Sequence, residues 1–140
     1  MSSEQQVGRH SLRFEDGIIS VTLRGDFTLE DAQGLTARST PFVAAGRSVF
    51  LRVDMRQVNN VEPAVRKHMS DWHQQARVAG SVHFGGSKPL RIMASLVHNA
   101  VRLISRRVIP LVFAETEAEA RLCIAGRRGD RRLAAGSPAT

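Results

Sequence analysis

The chain has 140 residues, 42% of them hydrophobic, with a single cysteine and a formal net charge of +7. That length holds one domain with a real core but not two, and the lone thiol, Cys123, excludes an internal disulfide framework and fits a reducing cytoplasm. No apolar run nears the roughly 20 residues that cross a bilayer, and Met1 to Gly8 lack the apolar centre of a secretory signal.

Residues 1–10 are expected to be a flexible start. His10 to Glu15 and Ile18 to Arg24 then flank Asp16-Gly17, a strong hairpin signal. In the second run Ile19, Val21 and Leu23 alternate with Ser20, Thr22 and Arg24, so one face is buried. Thr28 and Asp31 form a capping box that opens a helix, with Leu29, Ala32, Leu35 and Phe42 on one side. Pro41 is expected to kink that helix or end it early, and Gly46 to stop it.

Val49 to Asp54 is a nearly continuous apolar run, the pattern of a strand covered on both faces of a parallel sheet. A polar loop, Met55 to Pro63, is expected next. Pro63 then opens a helix whose Val65, Met69, Trp72, Ala76 and Ala79 recur at steps of four and three, one apolar stripe closed by Gly80. Ser81 to Pro89, with Gly85 and Gly86, reads as a loop. Leu90 to Ala94 is the next expected strand, and Ser95 caps a helix with Leu96, Val97, Ala100, Leu103, Ile104 and Val108 on its apolar face. That leaves His98, Asn99, Arg102, Ser105, Arg106 and Arg107 for solvent or a partner.

Ile109 to Phe113 is a last strand, and Pro110 inside it points to a sheet edge. Thr116 and Glu119 make a second capping box. Its helix carries Ala118, Leu122 and Ala125 before Gly126, and residues 127–140 read as a basic, disordered tail. Strands alternating with helices call for right-handed crossovers and an α/β fold, a mostly parallel sheet with an N-terminal antiparallel hairpin and about four helices.

The charge is diffuse. Arg127, Arg128, Arg131 and Arg132 against Asp130 place +3 in the tail, and within the body Arg102, Arg106 and Arg107 are the only local cluster. With 5% aromatic residues and no tyrosine, the chain lacks the rings that single-strand binders interleave with cations, so nucleic acid is not the expected partner.

Little in the sequence supports catalysis. Gly80 to Ser87 looks like a phosphate-binding loop, but Gly86 stands where the lysine belongs. His68 and His73 are five apart on one helix, off a shared face, and no metal site is expected. No serine stands in a nucleophile elbow, Cys123 lies between Leu122 and Ile124 as a buried structural thiol, and Asp54 has no partner for acid–base work. No cofactor is expected either.

Three segments, Leu23-Arg24-Gly25-Asp26-Phe27-Thr28, Leu51-Arg52-Val53-Asp54-Met55, and Val112-Phe113-Ala114-Glu115 leading into Glu119-Ala120-Arg121, give residues 11–126 a resemblance to the SpoIIAA-like branch of the STAS superfamily. This is the fold of anti-sigma-factor antagonists, and it also looks like the CRAL-TRIO lipid-binding domains. In phospho-regulated members, the helix after the central strand begins at a serine that a partner kinase modifies. Register on Asp54 puts Glu62 at the preceding acidic position and Pro63 and Ala64 at the serines, so the acceptor hydroxyl is missing. The helix start itself, with free amides and a positive dipole end, would favour an anion.

The resemblance implies a non-enzymatic regulatory domain that docks to a signalling protein, of anti-sigma type or another, through Gln57, Asn59, Asn60, Glu62, Pro63 and Arg66. Self-association, and peripheral membrane contact through Arg102, Arg106 and Arg107, are further interactions the sequence allows. The alternative is a carrier of a small apolar or lipid-like ligand held between the sheet and the helices containing Trp72 and Ile104; a large apolar cavity there would favour it.

Overall fold

Asp16 and Gly17 both adopt positive φ, 54° and 73°, as a two-residue hairpin turn of type I′ requires. In the computed structural model, which describes residues 4–44, 48–105 and 111–136 without the side chains of 44, 104, 105 and 128–136, this turn joins β2 (His10–Glu15) to β3 (Ile18–Phe27). A short strand, β1 (Gln5–Val7), pairs antiparallel with β2, so part of the expected flexible start is ordered into the sheet. The chain continues through α1 (Leu29–Ala44), β4 (Phe50–Val61), α2 (Ala64–Gln75), β5 (Gly80–Phe84), α3 (Lys88–Ser105), β6 (Leu111–Ala114) and α4 (Glu117–Gly136).

The six strands lie in chain order across one sheet, antiparallel through β3 and parallel from β3 to β6. Because each parallel strand sits beside its predecessor, right-handed crossovers bring α1, α2 and α3 to the same face. Leu51, Val53 and Met55 of β4 pack there with Leu35, Val65, Trp72 and Val101. The opposite face is covered by α4, whose Ala120 and Ile124 meet Phe50, Val82, Phe84 and Ala114. β4 is buried from Phe50 to Met55, as its unbroken apolar run predicts, and no described helix is long and apolar enough to cross a membrane.

Several expected boundaries are corrected. Met55 to Val61 is strand, because the ten-residue β3 runs far enough to pair with it as far as Phe27 and Val61. Gly80 opens β5 instead of closing α2, which ends at Gln75, and Ser81 to Phe84 is strand, with Val82 and Phe84 turned to α4. Leu90 to Ala94 belongs to α3, whose inner face is Leu90, Ala94, Val97 and Val101, not Leu96 and Leu103, which are exposed. Pro41 lies inside α1 near its end, where it forfeits one amide donor without stopping the helix. On α4 the buried face is Ala120 and Ile124, not Ala118, Leu122 and Ala125, and the helix continues past Gly126 into the segment expected to be a tail. β6 is the sheet edge, as Pro110 suggests; Pro110, Gly46, Arg106, Arg107, Val108 and Ile109 lie outside the described residues.

Candidate functional site

Beyond Asp54, which pairs with Phe84, β4 has no described strand on its β5 side. Residues 55–61 therefore form a two-stranded extension with β3. Val58 and Val61 turn toward the helix layer and pack on the main core, leaving Gln57, Asn59 and Asn60 exposed. Asn60 Nδ2 donates to Asp26 Oδ1 at 3.3 Å across the ribbon. The chain then turns through Glu62, whose amide donates to the Phe27 carbonyl, into α2. All six residues expected to meet a partner, Gln57, Asn59, Asn60, Glu62, Pro63 and Arg66, are exposed here.

The expected anion site is weaker than its dipole suggests. Pro63 is the N-cap residue and no side chain caps the helix, so Glu62 does not act as a cap through its carboxylate. Tight turns already engage two of the first amides, Val65 to the Glu62 carbonyl at 2.9 Å and Arg66 to the Pro63 carbonyl at 3.3 Å.

Asp54, which lies inside β4 and not at its end, is fully committed. The Arg56 guanidinium donates to both of its oxygens, Nε to Oδ1 at 3.0 Å and Nη2 to Oδ2 at 2.8 Å. Burial would raise its pKa, but the Arg56 side-chain and backbone hydrogen bonds and charge outweigh burial and hold it below the ordinary carboxylate range. A second dyad sits where β2, β3 and α1 meet. The Arg24 amide donates to His10 Nδ1 at 3.0 Å, which fixes the ring proton on Nε2, and Nε2 donates to Asp31 Oδ2 at 3.0 Å. Asp31 also closes the expected capping box with Thr28. His10 is sealed from solvent, and the dyad joins elements without facing a cleft. Cys123 is half-buried against the α4-side cluster, a looser setting than expected.

Three histidines that the sequence scattered over separate elements converge beneath the helix layer. His73 of α2 and His98 of α3 have ring centroids 5.0 Å apart, and His98 and His83 of β5 are 6.1 Å apart. His98, expected on a solvent face, is buried. Burial lowers its pKa against the opposing hydrogen bond to the Ala94 carbonyl, whereas burial and then the nearby His98 push His83 down to about 3, so both rings are neutral. They line a cavity of about 120 Å³ between the sheet and α1, α2 and α3, whose other walls include Leu51, Val53, Trp72, Leu90 and Val97. Half-buried Val58, Val61 and Leu90 and the exposed Arg66 stand at its rim. Trp72 is thus a cavity wall, tied by Nε1 to Thr40 Oγ1 at 3.1 Å, while the Ile104 side chain lies outside the described residues. A periodicity argument could not find this site, because His73 and His98 each sit one step from an apolar stripe residue, Trp72 and Val97. Among the described residues no group of three or more side chains is placed to hold a metal ion.

No protein-family model and no curated protein sequence matches the chain. In three dimensions it is similar to the anti-sigma factor antagonist SpoIIAA in its unphosphorylated form, at 11% identity and a TM-score of 0.54 over 90% of this chain and 99% of that one. An uncharacterised DUF3478-family protein with a SpoIIAA-like fold from Shewanella loihica PV-4 superposes at 11% identity and a TM-score of 0.55, over 86% and 90% of the two chains. An anti-sigma factor antagonist from Mycobacterium paratuberculosis superposes at 16% identity and 0.53, over 89% and 95%. With its hairpin start, in-order parallel strands and, among the described residues, four helices, the protein has a SpoIIAA-like fold.

Proposed function

We propose that the protein is a non-enzymatic, cytoplasmic regulatory module that docks to a signalling protein through Gln57, Asn59, Asn60, Glu62, Pro63 and Arg66. The observation that carries this reading is the exposure of all six residues in the carboxyl-terminal half of the central strand and the first turn after it, where open α/β sheets place recognition surfaces. Two of the structural neighbours are anti-sigma factor antagonists, which supports a regulatory role. Pro63 and Ala64 at the helix start offer no hydroxyl to a kinase, so docking is constitutive and Glu62 supplies a fixed charge beside them. The single cysteine supports a reducing compartment.

Affinity capture from native lysate tests this, comparing the wild type with an Asn60→Arg/Glu62→Arg variant and with Arg121→Ala on α4. The expected result is a stoichiometric protein partner whose recovery falls by about tenfold or more in the first variant and is unchanged in the second. No stoichiometric protein, or one indifferent to the first variant, overturns the reading.

A further inference from the structure

α3 is apolar on two opposite sides. Leu90, Ala94, Val97 and Val101 form its inner face, whereas Ile92, Leu96 and Leu103 are 52%, 42% and 76% exposed. At 3.6 residues per turn these three and the exposed Asn99 fall within about 60° of arc, opposite Val101, along a stripe about 16 Å long. A single exposed leucine is ordinary; three large apolar side chains aligned on one helix face form a patch, and such patches mark interaction sites.

The charge around this stripe has one sign. α3 contains no acidic residue, and its exposed Lys88 and Arg102 flank the stripe on the same side, about 50° and 90° from its centre. Arg91, on that flank too, reaches Glu115 at 3.3 Å. On the neighbouring α2, Asp71 is paired with Lys67 at 2.9 Å. In the sequence no Asp or Glu occurs between Asp71 and Glu115, a stretch that holds Arg77, Lys88, Arg91, Arg102, Arg106 and Arg107.

We propose that the outer face of α3 binds peripherally to an anionic lipid bilayer. Ile92, Leu96 and Leu103 enter the boundary between headgroups and acyl chains, while Lys88 and Arg102 lay their stems along the apolar stripe and hold their charges at the level of the phosphates. A second copy of the chain fits this face poorly, because a two-fold pairing sets cation against cation. A stripe about 16 Å long on a helix about 10 Å wide also falls well short of the roughly 800 Å² per partner that a specific protein complex covers. A bilayer sets no such threshold: affinity there comes from inserted apolar side chains and from the attraction of cations to anionic headgroups. The surface is separate from the docking residues of β4 and α2, and its test needs no protein partner.

The probes are vesicles of phosphatidylcholine alone and of equal parts phosphatidylcholine and phosphatidylglycerol, floated with the whole protein. Binding to the anionic vesicles is expected to be at least about tenfold tighter than to the neutral ones, at about fivefold for each of two cations, and to weaken as salt is raised. Leu96→Ser/Leu103→Ser, at exposed positions, should weaken it by about tenfold or more. Leu122→Ser, a comparably exposed leucine on α4 across the sheet, should leave it unchanged. No flotation with anionic vesicles, equal binding to neutral ones, or an α3 variant that floats like wild type would overturn the proposal. A dimer seen by sedimentation and lost in the α3 variant would also overturn it, by assigning the stripe to a second copy, and an acidic protein captured through the stripe in the absence of flotation would do the same.

Discussion

His83 sits on the face of β5 that looks into the helix layer, opposite Val53 of β4. Its pKa falls from the ordinary 6.5 to about 3, first through burial and then through the proximity of His98. The sign of the resulting pH dependence follows. The unfolded chain binds a proton below pH 6.5 while the folded protein refuses it, so stability present above 6.5 is lost as the pH falls toward 3. At about 1.4 kcal/mol per pH unit, roughly 2 kcal/mol should disappear between pH 6.5 and pH 5. Urea unfolding across that range should show the loss in wild type and a flatter profile in His83→Leu; identical slopes would refute it. Neither this ring nor His98 could be placed from sequence: His83 falls in a segment that reads as a loop but is strand, and a histidine beside an apolar stripe, as His98 is on α3, reads as solvent-facing until the crossing angle of its helix is known. Asp31 is the contrary case: its capping box with Thr28 depends on residues three apart, and local spacing sufficed.

The turn between β5 and α3 governs where the next helix begins. Gly85 and Gly86 have φ of 69° and 83°, and the chain there passes against β4 so closely that a Cβ on Gly85 would overlap Arg56 Cγ and come within 3.3 Å of Arg56 Cα. The glycine pair marks the end of a strand, yet the five residues before it carry only two apolar side chains on the α4 face. The more apolar Leu90 to Ala94 therefore looked like the strand, although it is the first turns of an amphipathic helix. Where burial is two-sided and unbroken, as along Phe50 to Asp54, pattern alone located the element. Gly85→Ala combines a left-handed backbone with that overlap, so it should destabilise by about 2 kcal/mol or more. Denaturant unfolding would reveal it, and a variant as stable as wild type would mean the turn can re-form around a side chain.

Two apolar clusters lie on opposite faces of one sheet, and neither is autonomous. β4 contributes Leu51, Val53 and Met55 to the helix-layer core and Phe50 to the α4 side, and β5 places Val82 and Phe84 under α4 while its other face walls the cavity. Losing α4 would expose the outer face of the same strands on which α2 and α3 rest, so damage on one face should weaken the whole. The alternation of strands and helices made the layered plan legible, but not which stripe of α4 faces inward. The burial of Ala120 and Ile124, with Leu122 left 73% exposed, depends on the angle at which the helix crosses β5. Ile124→Ala empties a site that is 1% exposed and should cost about 3 kcal/mol, whereas Leu122→Ala should cost almost nothing. If the faces are coupled through β4 and β5, Ile124→Ala shifts a single cooperative transition, seen alike by Trp72 fluorescence from the helix layer and by far-ultraviolet circular dichroism. If the two probes separate, with α4 melting before Trp72 responds, the sheet does not transmit the loss and the faces fold as separate units.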